Sequence, residues 1–376
     1  MSSTFVRNIY KHFESLSDPR VQRSTNHRLG DMLFITICAL ICDADSWVDV
    51  ERFARTKERW LRNYVPLPNG IPSHDTLGRV FAMLDGSDFQ ECLKSFASEL
   101  IASLKGKTVA VDGKSVRGSY DHAVGQSCLH NVSAWVSDLK VCLGLNSVAS
   151  KSNEIPAVQE LIASLELKGA VVTADALHCQ KKTCQAILDK KANYILAVKK
   201  NQSSLMNAIA ELGVAVSDAP KLAQNNQTPE EIQEHHARQE TRSAWSFAVP
   251  ADHAVFKQWP GIKSVLQVTR IRKSGEQQTQ TVQSYISSLP PDAENLSQRV
   301  REHWGIENSQ HYVLDVTFTE DASRIRKGSA PEISSTLRRF ALNILQSDKT
   351  LKESIRGKRK MCGWDDDTFS RLLANA

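Results

Sequence analysis

The chain lacks several features that would narrow its class at once. None of its eight cysteines, Cys38, Cys42, Cys92, Cys128, Cys142, Cys179, Cys184 and Cys362, forms a Cys-x-x-Cys pair. That argues against a zinc knuckle and a redox pair, and leaves reduced thiols of a cytosolic protein as the plain expectation. The longest apolar run, Met32 to Cys42, is eleven residues, short of the ~20 that a membrane-spanning helix needs. The opening MSSTFVRNIYKHFESL has no apolar core of the kind that directs secretion. Neither an internal repeat nor a low-complexity tract is present. Charge of one sign is also scarce: 47 Lys and Arg against 42 Asp and Glu give +5, which permits a nucleic-acid partner without demanding one.

What is there is ordinary globular material: 376 residues, 41% hydrophobic and 24% charged, enough for two or three domains at roughly 100–200 residues each. Residues 1–100 read as a helical domain. LGDMLFITICALICDA has the content of a short buried helix, DSWVDVERFARTKERWLRNYV that of an amphipathic one. Ser73 is a candidate N-cap for HDTLGRVFAMLD. From Lys107 the pattern changes. KTVAVDGKSVRGSY, HNVSAWVSD and LKVCLGLNSVA read as a three-strand meander. A helix (EIPAVQELIASLEL), a buried strand (KGAVVTADAL), a second helix (CQKKTCQAILDKKA) and a further strand (NYILAVKK) follow. The order β-β-β-α-β-α-β predicts a mixed α/β layer architecture over 105–347. Residues 203–236 read as a polar linker and 238–290 as a β-rich insertion, so that 203–290 interrupts the domain; 294–347 returns to helix. Residues 348–376 read as a basic C-terminal tail.

Two buried strands end in an acid: Val109-Ala110-Val111 in Asp112, and Val171-Val172-Thr173-Ala174 in Asp175. Ligands of open α/β sheets bind at the carboxyl ends of strands. A third acid, Glu307, lies in LSQRVREHWGIENSQHYVLDV. On one continuous helix it shares a face with Val300, Trp304, His311 and Leu314. A carboxylate in an apolar stripe must meet a cation or stay protonated; a salt bridge to Arg301 is the alternative. Three clustered carboxylates repel unless a divalent cation lies between them, and all-oxygen ligation favours Mg²⁺ or Mn²⁺. Spacing alone thus reaches a divalent-metal phosphoryl-transfer enzyme. His178 and Cys179 beside Asp175 lack the second soft-ligand pair that zinc needs.

Basic groups concentrate late in the chain: Arg324 to Lys360 holds eleven Lys and Arg against three acids, a patch that phosphate backbones attract, or else a solvated helical face. Lys199 and Lys200 follow a strand. Arg238, Glu240 and Arg242 alternate, which puts them on one strand face, either as an ion-pair ladder or as phosphate contacts. Trp245 and Trp304 suit core packing, or stacking on an unpaired base.

VAVDGKSVRGSYD, TADALHCQK, NYILAVKKNQ and HWGIENSQHYVLDVTFTEDASRIRKGSAPE resemble DDE-type insertion-sequence transposases of the ISAs family, H-repeat-associated (Rhs-linked) branch. DPR at 18–20 and GIPSHDTLGRVFAMLD at 70–85 resemble its helical N-terminal domain, so the similarity runs from about residue 10 to 350. The resemblance implies an RNase H-like mixed-sheet core with a β-rich insertion. It implies a two-ion Mg²⁺ (or Mn²⁺) site on Asp112, Asp175 and Glu307, and strand cleavage at element ends followed by transfer into target DNA. It further implies double-stranded DNA as partner, a homodimer on that DNA, and a cytoplasmic, nucleoid-associated protein with no membrane partner. Lys114, Arg117, Lys199, Arg238, Arg242, Arg301, Arg324, Arg326 and Lys327 are the candidate DNA contacts. The family's His-Gly-Arg-x-Glu stretch stands here as His236-Ala237-Arg238-Gln239-Glu240, without the Gly. The Tyr-Arg-Glu-Lys signature of related transposases falls on Val300, His303 and Leu314 around Glu307, so the roles of its Arg and Lys are not carried over; Arg301, His303 or Lys327 are candidates to replace them. The alternatives are a non-catalytic DNA-binding relic and a metal-dependent phosphatase acting on small molecules.

Overall fold

A computed structural model describes residues 4–20, 25–120, 125, 127–148, 154–217, 227–235 and 238–375. The polar stretch 218–226 and the pair His236-Ala237 lie outside the described residues. The chain divides into two compact units. Unit 1 comprises Met1–Ser103, Gly113–Ala157 and Glu307–Ala376; unit 2 comprises Leu104–Asp112 and Val158–Ile306.

Unit 1 opens with helices α1 (Thr4–Phe13), α2 (Leu29–Ile41), α3 (Trp47–Thr56), α4 (Glu58–Leu61), α5 (His74–Met83) and α6 (Gly86–Glu99). Helix α2 is buried from Asp31 to Ile41, as a helix apolar on every side must be. Ser73 caps α5 by accepting from the Thr76 amide, and Asp85 caps α6. Strand β1 (Thr108–Val116) enters this unit at Gly113 and is followed by the antiparallel pair β2 (Leu129–Val136) and β3 (Val141–Val148).

The β2–β3 ladder slips between Ala134 and Trp135. Strand β3 is an edge strand, and the Cys142 backbone is satisfied by the buried Asn343, whose Oδ1 accepts from its amide at 2.8 Å and whose Nδ2 donates to its carbonyl at 2.9 Å. An unpaired buried backbone group would cost about 1–3 kcal/mol, which accounts for an asparagine at position 343.

Unit 2 holds a sheet in the order β1-β4-β5-β9-β8-β7-β6. Strands β4 (Val171–Ala174) and β5 (Asn193–Val198) extend β1 in parallel. They alternate with helices α7 (Glu154–Ser164, its end in this unit) and α8 (Lys181–Asp189). The expected element order holds. Ser203–Ser217, expected as linker, is instead helix α9; Leu205, Ala208 and Ile209 are buried on one face of it. Strand β6 (Glu231–His235) also falls in the stretch expected as linker; it joins the expected strands of 238–290, β7 (Arg238–Ala248), β8 (Ser264–Ser274) and β9 (Gln277–Ser287), in an antiparallel set. Its β9 pairs with β5, so the insertion continues the same sheet. Helix α10 (Ala293–His303) lies on one sheet face, packing Leu296 and Val300 on Val171, Ile195, Ala244, Leu266 and Tyr285.

Past residue 306 the chain forms a five-residue π-turn, Glu307–His311, then α11 (Tyr312–Val316) and α12 (Ala330–Ser347) in unit 1. Residues 348–376, expected as a basic tail, carry α13 (Ile355–Trp364) and α14 (Asp366–Ala374), with Cys362, Phe369, Leu372 and Leu373 buried. Among the described residues, no helix is long and apolar enough to cross a membrane.

Candidate active site

Strands β1 and β4 pair in register, Val109 with Val172 and Val111 with Ala174. The next residues, Asp112 and Asp175, therefore stand at the same end of two adjacent parallel strands, whose spacing is about 4.8 Å. Side chains two apart share a face, and the contacts of three residues fix which face this is. Thr108 Oγ1 is bonded to Glu302 and, at 3.1 Å, to Arg299 Nη1. Thr173 Oγ1 lies 3.0 Å from His303 Nδ1, and Val171 packs under α10. Asp112 and Asp175 accordingly share the sheet face that α10 covers.

Asp175 is half-exposed and caps a short turn, accepting from the Leu177 amide at 3.1 Å; His178 Nε2, fully buried, is 3.7 Å from its Oδ1. Burial drives the His303 imidazole down to about 4 against the pull of Asp175, with His178 adding to the fall. His303 is thus neutral at ordinary pH. Burial raises the Cys179 thiol, which disfavours the thiolate that a zinc site through Cys179 would require.

Glu307 follows one turn after His303 and opens the π-turn. The expectation of one continuous helix with Glu307 in an apolar stripe is not met. A π-turn holds one residue more than an α-turn, so the buried series becomes Ile306, Gln310, Leu314 and Phe318, while Glu307 and Trp304 are exposed. Arg301, the expected salt-bridge partner, pairs with Glu231 at 2.5 Å. Among the described residues no three or more His, Cys, Asp or Glu side chains are gathered as a metal-ligating group. The two aspartates stand at the ends of adjacent strands.

In unit 1, Gly113 follows Asp112 directly. A β-carbon there would stand 2.6 Å from Glu154 Oε1 and 2.7 Å from His130 Nε2. His130 and Glu154 are both buried; the carboxylate accepts from Nε2 at 2.7 Å, and Nδ1 lies 3.0 Å from Ser115 Oγ. This pair was not read from the sequence. Its signal was a histidine and an asparagine opening the mostly apolar HNVSAWV.

Apart from Arg301, paired with Glu231, the candidate DNA contacts fall into three groups. Lys114 is buried, with Nζ 2.6 Å from Asp315, 3.0 Å from Asp321 and 3.7 Å from Glu320. It serves the interior of unit 1, where Glu320 also meets Arg339 at 2.7 Å. Burial pushes the Glu320 carboxyl up, but Arg339, Lys114 and Arg338 together hold it at about 2. In the second group, Arg242 bonds Glu240, which also receives Arg272 at 2.7 Å and Arg270 at 3.3 Å; Arg117 lies 3.6 Å from Asp321. Arg238 sits on β7 opposite Ser274. In the third, Lys199, Arg324 and Lys327 are exposed, and Arg326 stacks on Tyr120 at 4.7 Å. The basic run 324–360 is not one surface: Arg338, Arg339, Lys358 and Arg359 are buried in ion pairs or carbonyl contacts.

Residues 103–344 match the family described as Transposase DDE domain, and residues 10–97 match the one described as DDE_Tnp_1-associated. The chain is 36% identical over 374 residues to "Putative transposase YncI" of Escherichia coli O157:H7, covering 98% of this chain and 95% of that one. It is 33% identical over 379 residues to "H repeat-associated putative transposase YhhI" of Escherichia coli K12, covering 99% of each. A solved chain of a piggyBac transposase synaptic complex with hairpin DNA is similar at a TM-score of 0.41 and 11% identity, covering 98% of this chain and 78% of that one.

Proposed function

Because the chain belongs to the Transposase DDE domain family, we propose that it is a DNA transposase that cuts element ends and joins them to target DNA, with an RNase H-like core and with Asp112, Asp175 and Glu307 as its metal-holding acids. The observation that carries this reading is the matched register of β1 and β4, which brings two aspartates to one strand end on the face of α10. Glu307 lies one turn along the chain from His303, which contacts that face.

The donor chemistry fits a hard cation: the three candidates are carboxylates, Asp112 and Asp175 part-exposed and Glu307 exposed. Two divalent ions held there would supply charge neutralisation at the phosphate and an acidified water. The chain's own part is orientation. The Leu177 amide fixes one oxygen of Asp175. The neutral His303 ties α10 to β4 through Thr173 without adding charge beside the acids.

In the reaction, a water oxygen bonds to the end phosphorus as the bond to the 3′ oxygen breaks, leaving a 3′-hydroxyl. That hydroxyl then bonds to a target phosphorus, breaking the target's own 3′ oxygen bond by the same in-line geometry. Two ends must be processed together, so a homodimer on DNA belongs to the proposal, as does residence on the nucleoid.

The test is incubation of the full chain with DNA carrying the element's inverted repeats, with and without Mg²⁺. Nicking that needs Mg²⁺ and is lost in Asp112→Asn, Asp175→Asn and Glu307→Gln, with binding retained, is expected. Wild-type cleavage by Asp175→Asn refutes the assignment. DNA binding by the wild type without any cleavage favours the non-catalytic relic.

A further inference from the structure

Unit 1 contains a cleft of about 1630 Å³, formed by the start of α3, by α5 and by the segment 319–330. Three of its cations, Arg79, Arg324 and Lys327, are exposed and make no ion pair among the described residues. Its acids do not balance them. Asp45 is engaged by Arg359 at 3.0 Å, and only Asp75 stands open, 81% exposed and 3.6 Å from His74. The cleft is therefore electropositive with unused donors, whereas most arginines elsewhere in this unit are already spent.

The same cleft has an apolar lining. Trp47, the first residue of α3, lies stacked on Phe81 at 4.8 Å with an interplanar angle of 8° and faces the cleft beside Val48 and Met83, which are 38% and 51% exposed. A surface that reads only a duplex backbone needs cations and little else. Cations around an aromatic and apolar lining are what unpaired nucleotides use, phosphates on the cations and bases on the ring.

The lining is also held in place. Gly328 has φ +53°, and a β-carbon on it would stand 2.3 Å from the Ala82 carbonyl oxygen; the Ser329 amide donates to that oxygen at 3.2 Å. Only glycine allows this approach in that left-handed conformation. It pins the segment carrying Arg324 and Lys327 to the end of the helix carrying Arg79, so the cations are arranged before any ligand arrives.

We infer that this cleft is a binding site for unpaired nucleotides of a DNA strand, with Arg79, Arg324 and Lys327 on phosphates and Trp47 against a base. The inference rests on the transposase reading, since strand cleavage and joining are where unpaired ends arise. It adds a site in the helical domain to the acids of the sheet.

The test compares binding of the full chain, by fluorescence anisotropy across a salt series, to an unpaired strand and to a duplex of the same end sequence. The variants are Arg79→Ala, Lys327→Ala and Trp47→Leu, with Trp47→Phe as the conservative control. Thermal melting confirms that each is folded. The expected result is weaker single-strand binding with duplex binding unchanged. Each cation removed lowers the salt slope by about 0.7. Trp47→Leu costs on the order of tenfold in affinity, and Trp47→Phe restores most of it. Arg79→Ala and Lys327→Ala alter exposed side chains, so they decide the matter even where Trp47→Leu fails to fold.

Single-strand binding untouched by Arg79→Ala and Lys327→Ala overturns the cleft assignment and leaves the transposase reading standing. Equal loss on strand and duplex overturns the choice of unpaired nucleotides. A wild-type chain that binds neither form of DNA removes the transposase reading itself, and the cleft with it.

Discussion

Glu154 Oε1 stands 2.6 Å from where a β-carbon on Gly113 would lie, so the residue directly after Asp112 has room for a hydrogen and nothing larger. The far side of that contact cannot easily yield, because Glu154 and His130 are buried and bonded to each other at 2.7 Å. Gly113→Ala must therefore push either the pair or the β1 backbone. Overpacking of this kind costs about 1–3 kcal/mol. Thermal melting should show that loss, and Mg²⁺-dependent nicking should fall by more than stability alone explains, since the displaced backbone carries Asp112. Unchanged nicking by a destabilised Gly113→Ala would mean that Asp112 does not depend on this packing.

Lys114 gives a prediction of the opposite kind. It follows in the same strand, yet its ammonium meets Asp315, Asp321 and Glu320. Burial raises the Asp315 carboxyl even against Lys114, so removing that cation leaves acids that are already uncomfortable. Lys114→Met should cost about 3 kcal/mol, near the lower bound for breaking a buried pair because Asp315 and Asp321 are part-exposed. The loss should appear in denaturant unfolding. The salt slope of DNA binding should not change; a slope lowered by close to one would return Lys114 to the DNA surface.

These two neighbours show what the sequence discloses and what it hides. Asp112 and Asp175 were legible because each closes an apolar strand of a β-α-β order, a local pattern. Lys114 was not, because its carboxylates lie some two hundred residues further on and no local pattern records them. Arg338, Arg339 and Arg359 misled for the same reason: a run of cations reads as surface, while α12 and α13 carry them inward. Glu307 was placed on the wrong helical face because the π-turn inserts one residue into the count. Such a turn has no propensity signature of its own. Arg79 and Trp47 lay in plain helical sequence, and only the fold brings them to one cleft.

The imidazole of His303 sets a pH dependence. Its folded value of about 4 lies below its ordinary 6.5, so between these the unfolded chain binds a proton that the folded one refuses. Stability is then full above about 6.5 and is lost as pH falls towards 4. Glu320, at about 2 against 4.5, acts with the same sign in a lower window, lost as pH falls from about 4.5 to 2. Asp315, raised, acts with the opposite sign. Ring proton shifts of His303 by NMR should show no titration between pH 5.5 and 8. His303→Gln should flatten the fall in melting temperature between pH 6.5 and 4. A His303 ring that titrates near 6.5 would mean that it is not held neutral against β4.

The last prediction concerns Glu240, a carboxylate shared by Arg242, Arg270 and Arg272 on neighbouring strands. Burial and the guanidinium of Arg242 both lower Arg270, which is how crowded cations behave when one acid serves three. Glu240 holds charge there that would otherwise face outward on a broad antiparallel ribbon. Glu240→Gln keeps the shape and removes that neutralisation. It should destabilise the ribbon by about 1 kcal/mol, the scale of a part-exposed ionic hydrogen bond. At low salt it should also tighten duplex DNA binding and steepen the salt slope by up to about one phosphate contact. Anisotropy titrations at two or more salt concentrations measure both effects. Tighter binding places this face on DNA; unchanged binding with lowered stability makes the arginines a purely internal ladder.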